Sequence, residues 1–355
     1  MTMVAKDKPD LRNLTRSQLA EFLEKIEIPG SRASQLFSLL QKPNLHALTD
    51  LTDIKRSIRE KLVAHAQITF LTPQQVETSK DGTTKLAFKL ADGAIIESVL
   101  IPEQDRHTLC VSSQVGCGMG CKFCLTGTMG FKRNLTPSEI TNQVTATIAY
   151  MIEQGVNRAT PREYINNLVF MGMGEPLANY DNLLTALNIL MDEQGLEFTA
   201  RRVTISTCGI VPKIADLGRD TKVNLAISLH SADNDTRDEL MPVNRTYPLE
   251  QLLAACKNFP LDKKKVILIE YILLKGINDS DQAAHQLAAK LSNIPCRINL
   301  LPYNECEQLP YKCPAHEQVE NFQKILRNHG YRTLIRDSRG ADISAACGQL
   351  ATKQT

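Results

Sequence analysis

The chain has no long apolar run. Its most apolar stretch, residues 266–274, is short and carries Glu270, whereas a membrane-crossing helix needs about 20 apolar residues in a row. The first ten residues hold no apolar core, so no secretory leader is expected. Charge of one sign is scarce as well: 41 Lys and Arg stand against 39 Asp and Glu, a net charge of +2. That balance does not by itself argue for a nucleic-acid partner. Basic residues gather only locally, at Lys132-Arg133, at Arg201-Arg202 and at residues 263–265, and most such groups are solvated faces. No internal repeat or low-complexity tract is visible, which sets aside solenoids and disordered arrays. Ten cysteines in a chain of this kind fit a reducing cytoplasm, where thiols serve metals or catalysis. A monomer is the default expectation.

What is present is a cysteine loop. Cys117, Cys121 and Cys124 follow the spacing C-x3-C-x2-C, with Phe123 directly before the last cysteine. Thiolates ligate iron–sulfur clusters, and a cubane [4Fe–4S] cluster has four irons to satisfy. Three close cysteines hold three of them and leave the fourth iron open to a substrate. Gly116, Gly118 and Gly120 are expected to let the backbone wrap around the group, because glycine accepts positive φ without steric cost. The alternative is a structural zinc site, which normally takes four protein ligands. Cys110 could be the fourth, but its separation from Cys117 is irregular for such a site and it falls on a predicted strand.

This loop resembles the signature of the radical S-adenosylmethionine (SAM) superfamily. The resemblance implies a [4Fe–4S] cluster on Cys117, Cys121 and Cys124, with SAM chelated on the open iron and cleaved by one electron to a 5′-deoxyadenosyl radical.

The rest of the chain reads as α/β. Residues from about 12 to 66 are helical in pattern, with Leu19, Phe22, Leu23 and Ile26, then Leu36, Leu39 and Leu40, at helical spacing on either side of Pro29-Gly30. Between about 67 and 103 the pattern is of strands, with a hairpin signal at Ala91-Asp92-Gly93. Thr136, Pro137 and Glu139 form an N-cap, first-turn proline and capping box that start a helix running to about Gln154. Strand-like runs at 109–115, 167–172, 202–206, 223–229, 265–273 and 296–302 alternate with helical segments near 181–193, 211–217, 249–258, 280–291 and 315–328. About six βα units imply a parallel sheet with right-handed crossovers. The fold expected is therefore a partial (βα)6 TIM-like barrel of the radical SAM type with a small N-terminal helical accessory domain. The expected divisions are residues 1–66 (helical, RNA-contacting), 67–103 (hairpin extension), 104–330 (barrel) and 331–355 (C-terminal extension).

In barrels of βα units the active site lies at the carboxyl ends of the strands. Those ends deliver Gly174 and Glu175, Ser206, the triplet Ser228, Leu229 and His230, and Asn304 to one rim. Each alone is weak, and His230 by itself would more often be a structural histidine. Gly172-x-Gly174 is no dinucleotide fingerprint, since position 177 is Leu. Gly174-Glu175 resembles the element that grips the SAM amino group in the superfamily, a carboxylate opposite an ammonium. The resemblance makes all seven of these residues SAM contacts.

Two further cysteines stand out, Cys110 and Cys347, while Cys208, Cys256, Cys296, Cys306 and Cys313 are read as small buried hydrophobes. Across segments 113–117, 131–136, 171–177, 224–230, 240–245 and 336–350, nearly the whole chain resembles the RlmN/Cfr family of RNA adenine methyltransferases, on its C2-methylating side. The resemblance implies methylation of C2 of an adenine in 23S rRNA and in certain tRNAs with two SAM molecules per turnover, and an electron donor such as flavodoxin and its reductase. Cys347 would carry the methyl group as S-methylcysteine, the radical would activate that methyl, and the carbon radical would add to C2. Glu97 would be the proton acceptor, and Cys110 would resolve the adduct through a transient disulfide with Cys347. Chemistry supports this order, because C2 of adenine has no lone pair with which to attack a methyl donor, and release needs a base and a second thiol. A positive or helix-terminal setting is expected at Cys347 to favour its thiolate. The readings weighed against this one are a C8-methylating relative, a radical SAM enzyme acting on protein, and a non-catalytic zinc-bound RNA-binding module.

Overall fold

The computed structural model describes residues 8–263 and 265–350; Lys264 of the basic run, residues 1–7 and residues 351–355 lie outside the described residues. The N-terminal part folds as expected into helices α1 (Arg16–Lys25), α2 (Ala33–Leu40) and α3 (Arg56–His65). Thr15 caps α1 through a reciprocal box with Gln18. Leu19, Leu23, Leu36, Phe37, Leu40 and Leu62 close a small core of their own, joined by Ile189 from the barrel. Arg12 locks this unit in place. Its buried guanidinium donates to Leu40 O at 2.9 Å, Leu45 O at 3.0 Å, Thr69 O at 3.1 Å and Asn142 Oδ1 at 3.1 Å.

Strands β1 (Pro73–Thr78), β2 (Thr84–Lys89) and β3 (Ile95–Glu103) form an antiparallel meander, and β3 pairs antiparallel with β4 (Arg106–Cys110). From β4 onward the sheet is parallel. After the short ribbon of β5 (Gln114–Gly116) and β6 (Phe131–Asn134), its members are β7 (Asn167–Phe170), β8 (Val203–Thr207), β9 (Asn224–Ser228), β10 (Ile267–Leu273), β11 (Cys296–Pro302) and β12 (Thr333–Ile335), in that spatial order after β4. The helices between them are α4 (Leu125–Thr128), α5 (Pro137–Glu153), α6 (Pro161–Tyr164), α7 (Tyr180–Met191), α8 (Val211–Asp220), α9 (Asn234–Leu240), α10 (Leu249–Asn258), α11 (Asp281–Lys290) and α12 (His316–Asn328). Helix α5 begins on the expected capping box at Thr136. Among the described residues no helix is long and apolar enough to cross a membrane.

Two details differ from the sequence pattern. The parallel array carries one more strand, β12, which at three residues is too short to stand out as an apolar run. The run 109–115 does not continue as one strand. Ser112 N–H donates to Gln143 Oε1 at 2.8 Å and Ser112 O accepts from Gln143 Nε2 at 3.0 Å. A side-chain amide from α5 thus takes the place of a neighbouring strand, and the chain turns off the sheet into β5 and the cysteine loop.

Candidate active site

The carboxyl ends of β7 to β10 open onto a cleft with about 170 Å³ of interior space. Gly174, Glu175, Ser206, Ser228 and His230 line it together with Cys117, Cys121, Cys124 and Cys347.

The cysteine loop is held by short backbone bonds, Cys117 N–H to Gly130 O at 3.0 Å and Lys122 N–H to Leu240 O at 2.9 Å. Gly116 sits at φ 71°, where a Cβ would fall 1.9 Å from Gly130 O. Gly118 has no positive φ, contrary to the expectation that all three glycines of the loop need it. Burial pushes the Cys117 thiol up to about 11, and raises Cys121 and Cys124, with mutual repulsion among the three adding to it. Three soft donors that repel one another as thiolates fit a cationic iron–sulfur core. Among the described residues no group of three His, Cys, Asp or Glu is gathered so as to hold a single metal ion, and Cys110 lies on β4 outside the cleft lining. The donor set suits a cluster with one iron left open better than zinc.

Glu175 is buried, which raises its pKa, yet two backbone donors brace the carboxylate: Cys208 N–H at 2.8 Å and Leu177 N–H at 3.0 Å. Gly174 makes room for this, since at its φ of 103° a Cβ would lie 2.6 Å from Gln114 Cβ. Ser206 and Ser228 stand side by side on β8 and β9, hydroxyls 3.4 Å apart. His230 takes φ 60° and accepts the Ile272 N–H on Nδ1 at 3.0 Å. Burial, then the nearby Arg237, pull its pKa down to about 3. The ring is therefore neutral with its proton on Nε2. Leu229 and Asn304, expected as SAM contacts, are not among the residues that line the cleft; the Leu229 N–H is bonded to Glu270 O at 3.0 Å.

Cys347 opens onto the cleft while protein surrounds it on its other sides. Its thiol is pushed up to about 11 by burial and by Glu270, against an opposing pull from Arg336. The expected thiolate-favouring setting is thus outweighed. Cys110 is buried on β4 and its thiol is raised by burial and by Cys347. All the cysteines are free thiols. Glu97, on β3, is buried rather than facing water; Lys85 Nζ lies 3.8 Å from its Oε1, and its backbone O accepts from Ser112 Oγ at 2.6 Å.

Sequence reasoning passed over Glu270, Cys208 and Met241, which also line the cleft. Glu270 accepts from Asn299 Nδ2 at 2.8 Å and is raised by burial. A carboxylate inside the most apolar run was the signal for it.

Comparisons with known proteins place this geometry. Residues 111–288 match the radical SAM superfamily, and residues 9–68 match the ribosomal RNA large subunit methyltransferase N-terminal domain. The dual-specificity RNA methyltransferase RlmN of Desulfotalea psychrophila is 51% identical over 99% of this chain and 97% of its own length. That of Geotalea uraniireducens is 46% identical over 97% of each. A crystal structure of a radical SAM methyltransferase from Sphaerobacter thermophilus superposes with a TM-score of 0.89 at 40% identity, covering 96% of this chain and 98% of that one. With identity of this level along nearly its whole length, the chain belongs to the RlmN family of radical SAM methyltransferases.

Proposed function

We propose that this chain is a dual-specificity RNA methyltransferase that places a methyl group on C2 of an adenine in 23S rRNA and in tRNA. The observation that carries the reading is that Cys347 and the three cysteines of the loop line one cleft together with Glu175, Ser206, Ser228 and His230. Cys117, Cys121 and Cys124 would hold a [4Fe–4S] cluster, whose chemistry would be one-electron reduction of SAM. Glu175 meets the SAM ammonium, Ser206 and Ser228 offer hydroxyls, and His230 presents an Nε2–H donor. Leu229 and Asn304 border that contact set.

Cys347 would accept a methyl group by displacement at a first SAM, with S-adenosylhomocysteine leaving; that methyl would lose a hydrogen atom to the 5′-deoxyadenosyl radical of a second SAM, and the carbon radical would add to C2 of the adenine. Glu97 would take up the C2 proton as the adduct gives one electron back to the oxidised cofactor, and the Cys110 thiolate would attack the Cys347 sulfur, breaking its bond to carbon and forming a transient disulfide as the base leaves with a proton taken up on its new methyl group. The helical unit of residues 8–66 contributes to RNA grip, in keeping with recognition by shape and extruded bases. A flavodoxin-type reductant, a monomeric state and a cytoplasmic location complete the proposal.

Mass spectrometry tests it directly. Cys347 should carry one extra CH2 unit after incubation with SAM, and Cys110→Ala should accumulate a covalent protein–RNA species. An active, SAM-loaded Cys110→Ala enzyme with no adduct refutes the role given to Cys110. A methyl group mapped to C8 would move the chain to the other branch of the family.

A further inference from the structure

Arg237, on α9, has no role in the chemistry above, yet it is the most deeply buried charge near the cleft, with 0% exposure. Its Nε donates to Leu229 O at 3.0 Å, Nη2 to Cys208 O at 2.8 Å and Ser228 O at 3.4 Å, and Nη1 to Asn244 Oδ1 at 2.7 Å. Every one of these acceptors is neutral. Asp238 connects to it through Asn244, whose Nδ2 donates to Asp238 Oδ1 at 2.5 Å. A cation buried among neutral dipoles is unfavourable unless opposite charge stands near.

The opposite charge on offer is Asp238 and, once the loop cysteines ligate as thiolates, Cys121; both act electrostatically on the guanidinium, while burial keeps the Cys208 thiol protonated. Cys208, Leu240 and Met241 pack in one group with Phe123, and Cys121 lies against it. The Lys122 N–H bond to Leu240 O draws the cysteine loop onto the end of α9.

We infer that Arg237 is a positioning residue of the cofactor site: its fixed buried charge offsets the negative charge of the thiolate-ligated cluster and so sets the cluster's reduction potential, while its fork clasps the ends of β8 and β9. The inference rests on Cys117, Cys121 and Cys124 as cluster ligands. A cluster with three thiolates is net negative and becomes one unit more negative on reduction. A nearby cation in a low-dielectric interior therefore favours the reduced form. Arginine suits the position because it keeps its charge when buried and presents several donors in a rigid plane.

The test is an EPR-monitored redox titration of reconstituted holoenzyme, with iron and sulfide content measured in each sample. At a fixed poise, Arg237→Met should lower the ratio of reduced to oxidised cluster about tenfold, a shift of 59 mV for a one-electron couple. Arg237→Lys, which keeps the charge and loses the fork, should hold that ratio within about threefold while binding SAM less tightly. A merely structural residue would move stability and SAM binding but leave the potential where it was. Should Arg237→Met not fold, Arg237→Gln removes the charge and retains an N–H donor toward Cys208 O, and it reads the same quantity. If neither neutral variant folds, a displaced potential in Arg237→Lys overturns the assignment and an unchanged one supports it. A neutral variant with full cluster content and the wild-type potential also overturns it. Failure of the wild-type chain itself to take up iron and sulfide would instead sink the cluster reading, so the two failures are distinguishable.

Discussion

Replacing Glu175 by Gln should weaken SAM binding far more than it weakens the fold. The carboxylate receives Cys208 N–H and Leu177 N–H on its two oxygens. A glutamine has one acceptor oxygen, so one of those donors would face an NH2 group. Leaving a buried donor unsatisfied costs about 1–3 kcal/mol. Against that, the charged form of Glu175 is itself disfavoured by burial, and the neutral amide removes this penalty. The two changes oppose each other and the net loss of stability should be about 1 kcal/mol or less. The ammonium of SAM has no such compensation. A hydrogen bond to a charged group contributes about 1.5–3 kcal/mol, so its loss should raise the SAM Kd about 10- to 150-fold at 1.4 kcal/mol per tenfold. Equilibrium binding to cluster-loaded protein, alongside urea denaturation, separates the two quantities. A Glu175→Gln protein with full cluster content and SAM affinity within about twofold of wild type would refute the assignment of this carboxylate to the ammonium.

Three other perturbations follow from the geometry. Arg12→Met removes donors from Leu40 O, Leu45 O, Thr69 O and Asn142 Oδ1 and should cost about 3–5 kcal/mol in urea denaturation; a loss near zero would show that the helical unit is held without it. Gly174→Ala combines a φ of 103° with a Cβ set 2.6 Å from Gln114 Cβ, and should lower stability by about 1–3 kcal/mol and displace the Glu175 wall, seen as weaker SAM binding. Asp92 is held at about 2, chiefly by its hydrogen bond from Arg133. A carboxyl whose folded pKa lies below its unfolded value of about 3.9 contributes stability that is present above that value and lost as pH falls toward the folded one. Asp92→Asn should therefore flatten the acid limb between about pH 4 and 2, and an unchanged limb would contradict the pairing.

How much of this could be read from the chain depended on how local each signal is. The capping box at Thr136, the βα alternation and the C-x3-C-x2-C loop are all encoded within a few residues. The rim residues Ser206, Ser228 and His230 were found because strand ends can be located from apolar runs, and the structure puts all three on the cleft. Arg237 and Glu270 escaped because their meaning lies in distant partners: carbonyls at the ends of β8 and β9 for the first, Asn299 and Cys347 for the second. Gln143 hides the end of β4 for the same reason, since nothing near 112 announces that an amide from α5 will occupy its backbone.

The loop that carries Cys347 shows what long-range contacts add to a residue whose role was suggested by sequence. On its N-terminal side the β1–β2 turn holds it, with Asp81 Oδ2 accepting the Gly340 N–H at 3.1 Å and Ser79 Oγ donating to Asp342 Oδ1 at 2.5 Å. Lys85 adds a bond to Ile343 O at 2.7 Å and also lies 3.8 Å from Glu97. On the C-terminal side, Gly348 O accepts the Leu125 N–H at 2.8 Å and Leu350 O accepts from Thr126 at 2.5 Å, which fastens the chain to the helix that follows the cysteine loop. A methyl carrier has to meet the methyl donor on the cleft side and the resolving thiol on the β4 side. A short span pinned at both ends limits how far the Cys347 sulfur can move, with much of the ordering entropy already lost before substrate arrives. Because Lys85 reaches both this span and Glu97, the accessory meander ties the segment of the proposed methyl carrier to the strand of the proposed proton acceptor.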